Sequence, residues 1–369
     1  MRDINRCTRC IMDDTSDPTI EFDESGICNY CSHALKIKDK VYFPNAEGQK
    51  KLVSTIEKIK EDEKNKPYDC VMGISGGLDS SYLAYIGYKH GLRILGIHVD
   101  DGFDTDISIH NIEKLVKATN MKLVIVKPDE KQYYGLIKAY MRAGVPNLAV
   151  PQDNITIATV YDNLRKNNLK YFATGGNFLL EGILQKGNSH PYVDTLNLKD
   201  INRRFGETSI DNLPLLSSWR KLYDSKILNI ETPRLLNYVD YNRDNAFSEL
   251  NKFCGFEYYG SKHLENILTA FIQLYWLPKK FNVDKRTSHL SSMIVSGQLS
   301  REQALKEYSK PLYDEPMMNE YIYVIKEKLN ISDNEFDEIM NLPIKQHTDY
   351  KYDKLMSYYR KISEKLKHN

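Results

Sequence analysis

No stretch of the 369 residues is both apolar and long enough to cross a bilayer. The start, MRDINRCTRCIMDD, lacks an apolar core followed by a small-residue cleavage site, so a cytoplasmic protein is expected. Excess charge of one sign is missing too. With 51 basic and 50 acidic residues the formal net charge is +1, which argues against broad nucleic-acid binding and leaves room only for a local basic patch. Neither an internal repeat nor a low-complexity linker marks a domain border. What is present, 41% hydrophobic residues, is enough for one large or two moderate cores, and a folded protein follows.

Cysteine is scarce, yet four of the six stand in two close pairs, Cys7 with Cys10 in CTRC and Cys28 with Cys31 in CNYC, with seventeen residues between. In a reducing compartment such pairs hold a metal more often than a disulfide. A two-residue gap lets both thiolates of a knuckle reach one tetrahedral ion, and the intervening TIEFDESGI predicts a small hairpin closing on Gly26. Four thiolates leave no open position, so zinc here would be structural, contributing folding free energy on the order of 10 kcal/mol to a segment too short to bury much core. Four unrelated buried cysteines, or an iron–sulfur or redox site, are the competing readings. His33 is either a contact of a ligand or a surface residue.

After the cysteines, Gly48 to Lys66 is charged with apolar Leu52, Ile56 and Ile59, the pattern of an amphipathic helix closed by Pro67. Alternation follows. Strands are expected at Tyr68–Ser75, Arg93–Asp100, Lys122–Lys127 and Lys170–Thr174. Helices are expected near Ser80–His90, Ile107–Thr119, Gln132–Arg142 and Asn154–Asn167. Repeated strand–helix units imply an α/β fold with a parallel sheet and helices on both faces. In such sheets ligands bind at the carboxyl ends of the strands. There the first strand ends in SGGLDSS, the second in Asp100 and Asp101, and the fourth in Gly175, Gly176 and Asn177. Beyond about Asn237 helical patterns dominate, ending in an amphipathic stretch from Tyr350 to Lys367.

SGGLDSS has the parts of a phosphate cradle: adjacent glycines let backbone approach a ligand, the following helix aims free N–H groups at it, and serines add donors. The lysine of the common nucleotide P-loop is missing. The stretch resembles the signature of the PP-loop ATP pyrophosphatases, which leave the α-phosphorus of ATP open to attack and make AMP. The resemblance implies Ser75, Gly76, Gly77, Asp79, Ser80 and Ser81 around the pyrophosphate, Asp79 as a magnesium contact, and Asp100 near the adenosine. An N-cap is an equally simple reading of Asp101.

The ribbon, this loop, PQDN (Pro151 to Asn154), ATGGNFLLEGI (Ala173 to Ile183), INRRFG (Ile201 to Gly206) and LPKKFNVDKRTSHLSSMIVSGQLSREQAL (Leu277 to Leu305) together resemble the N-acetyl sugar amidotransferase family. That family works in bacterial surface-polysaccharide and flagellar nonulosonic-acid pathways. The resemblance implies an adenine nucleotide alpha hydrolase-like fold with a zinc ribbon over residues 1–48, a PP-loop ATPase domain over 49–236, and a helical region over 237–369 for substrate and partner. The implied reaction turns an acetamido group into an acetamidino group: the amide oxygen attacks ATP, pyrophosphate leaves, and ammonia displaces AMP from an O-adenylyl imidate.

Such chemistry needs positive charge at the departing pyrophosphate. Lys279, Lys280, Lys285 and Arg286 cluster in LPKKFNVDKR with His289 after them. By itself such a cluster is a solvated face or an anion site. The resemblance favours Lys285 and Arg286 for phosphate or a substrate carboxylate, with Lys279, Lys280, His289, Arg203 and Arg204 as further substrate contacts. Asn177 and Glu181, one helical turn apart, would address the sugar or orient ammonia, or simply cap a helix. No cysteine stands where a glutaminase nucleophile would: residue 2 is Arg2, Cys70 lies inside a strand and Cys254 lacks a turn and partner. Ammonia is therefore expected from solution or from a separate glutaminase, which the resemblance likens to the glutaminase and cyclase of histidine biosynthesis. A tRNA-modifying PP-loop thiolase remains the alternative; it would need an aromatic and basic RNA face and a catalytic cysteine pair.

Overall fold

A computed structural model describes residues 4–260 and 264–359. Four parallel strands, β1 (Cys70–Gly73), β2 (Ile94–Val99), β3 (Lys122–Val126) and β4 (Phe172–Ala173), form one sheet in the order β3-β2-β1-β4. Met72 sits between Gly96 of β2 and Ala173 of β4, and Ile97 opposes Val124. The expected parallel α/β core is thus present, with β1, β2 and β4 shorter at both ends than the apolar runs that announced them and β3 shorter only at its end.

Side-chain alternation feeds two cores. Cys70 and Met72 face Leu52, Ile56 and Ile59 of α2 (Ala46–Asp62), Leu83 of α3 (Leu78–Lys89) and Leu115 of α4 (Asp106–Thr119). Val71, Leu95 and Ile97 face Ala158, Tyr161 and Leu164 of α6 (Val150–Lys166). Burial on both faces explains why ILGIHV reads as a nearly unbroken apolar run. A third core joins α5 (Glu130–Ala143) and α8 (Thr195–Phe205) to Leu268, Phe271 and Trp276 of the late chain.

Helices α1 (Asn29–Val41), α7 (Phe178–Glu181) and α9 (Ser218–Lys226) lie among these. Past β4 every regular element described is helical: α10 (Arg243–Cys254), α11 (Ile267–Phe271), α12 (Leu277–Phe281), α13 (Arg286–Ser296), α14 (Arg301–Tyr308), α15 (Glu315–Leu329) and α16 (Asp333–Asn341). Helix α6 begins earlier than expected because Pro151 occupies its first turn, where the missing N–H is no loss. The expected hairpin before Cys28 reduces to one bridge, Phe22 to Cys28, over a turn in which the Asp23 carboxylate accepts the N–H groups of Ser25 and Ile27. The carboxylate satisfies donors that a longer ladder would have used. Of the final amphipathic stretch, residues 354–359 are helical and 360–367 lie outside the described residues. No described helix is long and apolar enough to cross a membrane.

Candidate active site

β1 delivers the chain into Ser75, Gly76 and Gly77, and α3 starts at once. Gly76 has φ +73, and a Cβ there would stand 2.4 Å from the Ser108 carbonyl oxygen, so only glycine fits. Gly77 is the N-cap of α3 and has no side chain to cap it, so apart from the Leu78 N–H, which the Tyr259 hydroxyl accepts, the first turn has no side-chain cap. Ser75 Oγ accepts the Gly77 N–H at 3.2 Å and lies 3.0 Å from Ser80 Oγ, a small hydroxyl network at the loop's mouth. Gly175, just beyond β4, packs so closely that a Cβ would be 3.1 Å from the Ser80 nitrogen.

Two cavities open there. The larger, about 330 Å³, spans the carboxyl ends of β1, β2 and β4, with Ser75, Ser80, Asp101, Asp153 and Gly175 in its wall. The smaller, about 50 Å³, is enclosed by Ser75, Gly77, Asp79, Ser80, Arg243, Tyr259 and Glu265. Ser81 is fully buried with its hydroxyl unpartnered and lines neither cavity, while Gly76 and Gly176 shape the backbone around them. Asp79 takes a hydrogen bond from the Tyr241 hydroxyl, and the Leu78 N–H donates to the Tyr259 hydroxyl at 2.8 Å, so two late tyrosines brace the loop.

Strand alternation separates the two aspartates after β2. Asp101 enters the larger cavity, where Gln152 Nε2 donates to it at 2.6 Å, Tyr133 at 3.1 Å and Asn266 Nδ2 at 3.2 Å. Asp100 turns to the opposite face and pairs with Lys127 at 2.8 Å, which holds its carboxyl below the usual range against the opposing effect of burial. Asp101 and not Asp100 thus lines the larger cavity. Thr105, not Asp101, caps α4.

Asp153, on the first turn of α6, is open to solvent through the larger cavity, and the protein walls around that cavity push its carboxyl up to about 7 against the pull of Lys285. Burial likewise lowers Lys285 to about 8, opposed by Asp17 and Asp153. His98 lines the same cavity with Nδ1 2.9 Å from the Ile74 carbonyl and Nε2 3.1 Å from Asp104.

The other residues singled out in the sequence scatter. Asn177 is the buried N-cap of α7, accepting the Leu180 N–H at 3.0 Å and donating to the Gly175 carbonyl at 3.0 Å; Glu181 ends that helix beside Gly176. Arg203 and Arg204 both pair with Asp200, at 2.8 and 2.9 Å. Lys279 is exposed, whereas Lys280 is buried with Nζ donating to the carbonyls of Ile339, Met340 and Leu342 at 2.9, 3.1 and 2.6 Å. Arg286 is engaged by Asp284 at 2.8 Å and by the Lys310 carbonyl at 2.9 Å, and His289 lies in the first turns of α13. Of the basic cluster, Lys285 alone is coupled to a cavity residue.

In the N-terminal segment Cys7, Cys10, Cys28 and Cys31 are fully buried. The sulfurs of Cys7, Cys10 and Cys31 lie within 4.8 Å of one another, and Cys28 Sγ is 3.7 Å from Cys10 Sγ. Two thiolates on one tetrahedral zinc stand roughly 3.8 Å apart given Zn–S bonds of about 2.3 Å. Backbone N–H groups of Cys10, Cys28 and Cys31 point at sulfur over 3.2 to 3.4 Å, as anionic ligands require. The donor set fits a structural zinc ion.

Sequence reasoning missed Tyr241, Arg243, Tyr259 and Glu265, which reach the loop from far along the chain and belong to no motif. Asp153 was visible inside PQDN but had no assigned role.

Residues 265–366 match the family described as LPS biosynthesis protein WbpG-like, C-terminal domain. No curated protein matches the chain. Among solved structures it is similar to an NMN synthetase from Francisella tularensis, with 17% identity and a TM-score of 0.30 over 61% of this chain and 91% of that one. It is also similar to an NH3-dependent NAD synthetase from Campylobacter jejuni subsp. jejuni NCTC 11168 in complex with the nitrate ion, with 16% identity and a TM-score of 0.31 over 72% and 99%.

Proposed function

We propose that this chain is an ATP-dependent amidotransferase that activates an acetamido group of a bacterial surface sugar as its O-adenylyl imidate and converts it to an acetamidino group with ammonia, releasing AMP and pyrophosphate. The observation that carries the reading is the uncapped N-terminus of α3 behind the glycine turn, facing cavities at the carboxyl ends of the strands. Backbone N–H groups and a helix dipole are there before any ligand, the preorganised arrangement that stabilises charge developing on a departing phosphate. The match of residues 265–366 to a domain named for LPS biosynthesis supports a sugar-pathway substrate.

An amide oxygen is a poor leaving group, and adenylation turns it into AMP. Magnesium accompanying ATP would meet Asp79. Asp153, half ionised near neutrality, is suited to accept the proton released when ammonia adds. Ammonia comes from outside the chain. Besides the four clustered cysteines, Cys70 is buried in the sheet with its thiol pushed up by burial, and Cys254 donates to the Leu250 carbonyl at 3.3 Å, also raised by burial. Neither is an activated nucleophile, which supports a separate glutaminase partner.

The test is mass spectrometry on purified protein given ATP, magnesium, ammonium and a panel of acetamido sugars, free and nucleotide-linked. AMP together with replacement of the amide oxygen by NH in one sugar is the expected result. AMP formed only on adding tRNA and a sulfur donor would overturn the reading in favour of a thiolase.

A further inference from the structure

We propose that Arg243 is the cation that grips the pyrophosphate portion of ATP and neutralises it as it leaves, an inference that rests on the ATP-dependent reading above. Arg243 is the first residue of α10, whose start is fixed by Asn242: its side chain accepts the N–H groups of Asp244 and Asn245 at 3.0 and 3.2 Å. From that anchored backbone the side chain lines the smaller cavity, sharing its wall with Ser75, Gly77 and Ser80 of the phosphate loop.

The Arg243 side chain forms no hydrogen bond, ion pair or cation–π contact with any described residue, and its charge is felt by Tyr241 and Tyr259. An arginine on that wall with no hydrogen-bond or ion-pair partner among the described residues, next to the positive end of α3, is placed to meet the anionic part of a ligand. Four of the other cations that the sequence offered are engaged elsewhere. Lys280 holds backbone carbonyls, Arg286 holds Asp284, and Arg203 and Arg204 hold Asp200. Asp79 and Glu265 share the cavity wall, so a bare anion also meets repulsion there, and the group enters with its divalent cation.

The bond changes balance without any further reagent. The amide oxygen bonds to the α-phosphorus, the bond from that phosphorus to the α,β-bridging oxygen breaks, and the electron pair departs on pyrophosphate. The planar guanidinium can offer two parallel N–H groups to that phosphate.

Isothermal titration of magnesium pyrophosphate into the full-length protein tests this, comparing wild type with R243A and R243K. Wild type is expected to bind, R243A to bind at least about tenfold more weakly, as loss of a charge-assisted hydrogen bond implies, and R243K to recover part of the loss as a point charge without the fork. Because Arg243 makes no side-chain hydrogen bond or ion pair with a described residue, R243A is expected to melt close to the wild-type temperature; should it melt lower, R243K, which keeps most of the side-chain stem, decides the comparison. Wild-type affinity in R243A overturns the role of Arg243 and leaves the ATP reading standing. Absence of pyrophosphate and ATP binding by folded wild type overturns both.

Discussion

A carboxyl titrating near 7 on a cavity wall makes Asp153 costly for the fold and useful to the chemistry. Its folded value is raised above the unfolded one, so the folded chain holds the proton more tightly. The resulting stability is fully present below the ordinary carboxylate range near pH 4 and is lost as pH climbs to about 7. D153N removes that dependence. Its melting temperature is therefore expected to match wild type near pH 4, to exceed it by a widening margin up to about pH 7, and to keep a constant lead above that. Parallel melting curves from pH 4 to 8 check this, and a margin independent of pH would mean the carboxyl titrates normally. Lys285 runs the other way: its value is depressed, so its contribution is lost as pH falls through about 8. Residue 153 stood in plain view within PQDN, but its environment depends on how α6 abuts the sheet and on a lysine far along the chain. No local pattern encodes either.

Among the elements, those with a strong period were legible and those stabilised by a distant partner were not. Strands β1 to β3 and helices α3 to α6 follow from alternation of apolar runs and caps. β4, two residues long, is identified in the sequence mainly by the glycines after it. The basic cluster shows why linear proximity misleads. Lys279 and Lys280 are adjacent on α12 and so point to different faces, one to water and one inward, and Asn282 then turns the chain in the left-handed region at φ 55 before Lys285. Lys280 became a cap for the carboxyl end of α16, supplying donors to carbonyls that a helix leaves unpaired. K280M keeps the apolar stem and removes the donors. It is expected to lower unfolding free energy by about 2 kcal/mol, read as a lower urea midpoint at unchanged slope. An unchanged midpoint would show that water replaces the ammonium.

At the scale of the whole molecule, the cysteine segment is built into the body. Its core includes Phe178 and Ile183 from the β4 side and Val295 of α13. Arg301 donates to the carbonyls of Cys10 and Cys7 at 3.0 and 3.1 Å, and Ser291 Oγ accepts the Ile11 N–H at 3.2 Å. Removing the metal should therefore disturb more than the first residues. Purified protein is expected to carry about one zinc per chain by elemental analysis, and C10S or chelation to lower the melting temperature of the whole protein in one transition. A separate early transition, with the main one unmoved, would show an autonomous ribbon. The clustering of the four cysteines was readable from spacing alone, because both pairs are local. Their seat was not, because it is made by residues near position 300. Arg301 and Cys10 are 291 positions apart. On a ribosome, the opening segment emerges long before the helices that clasp it exist. Through most of synthesis its apolar underside has no partner, and an ion bound by those thiols would hold them together until the late helices arrive.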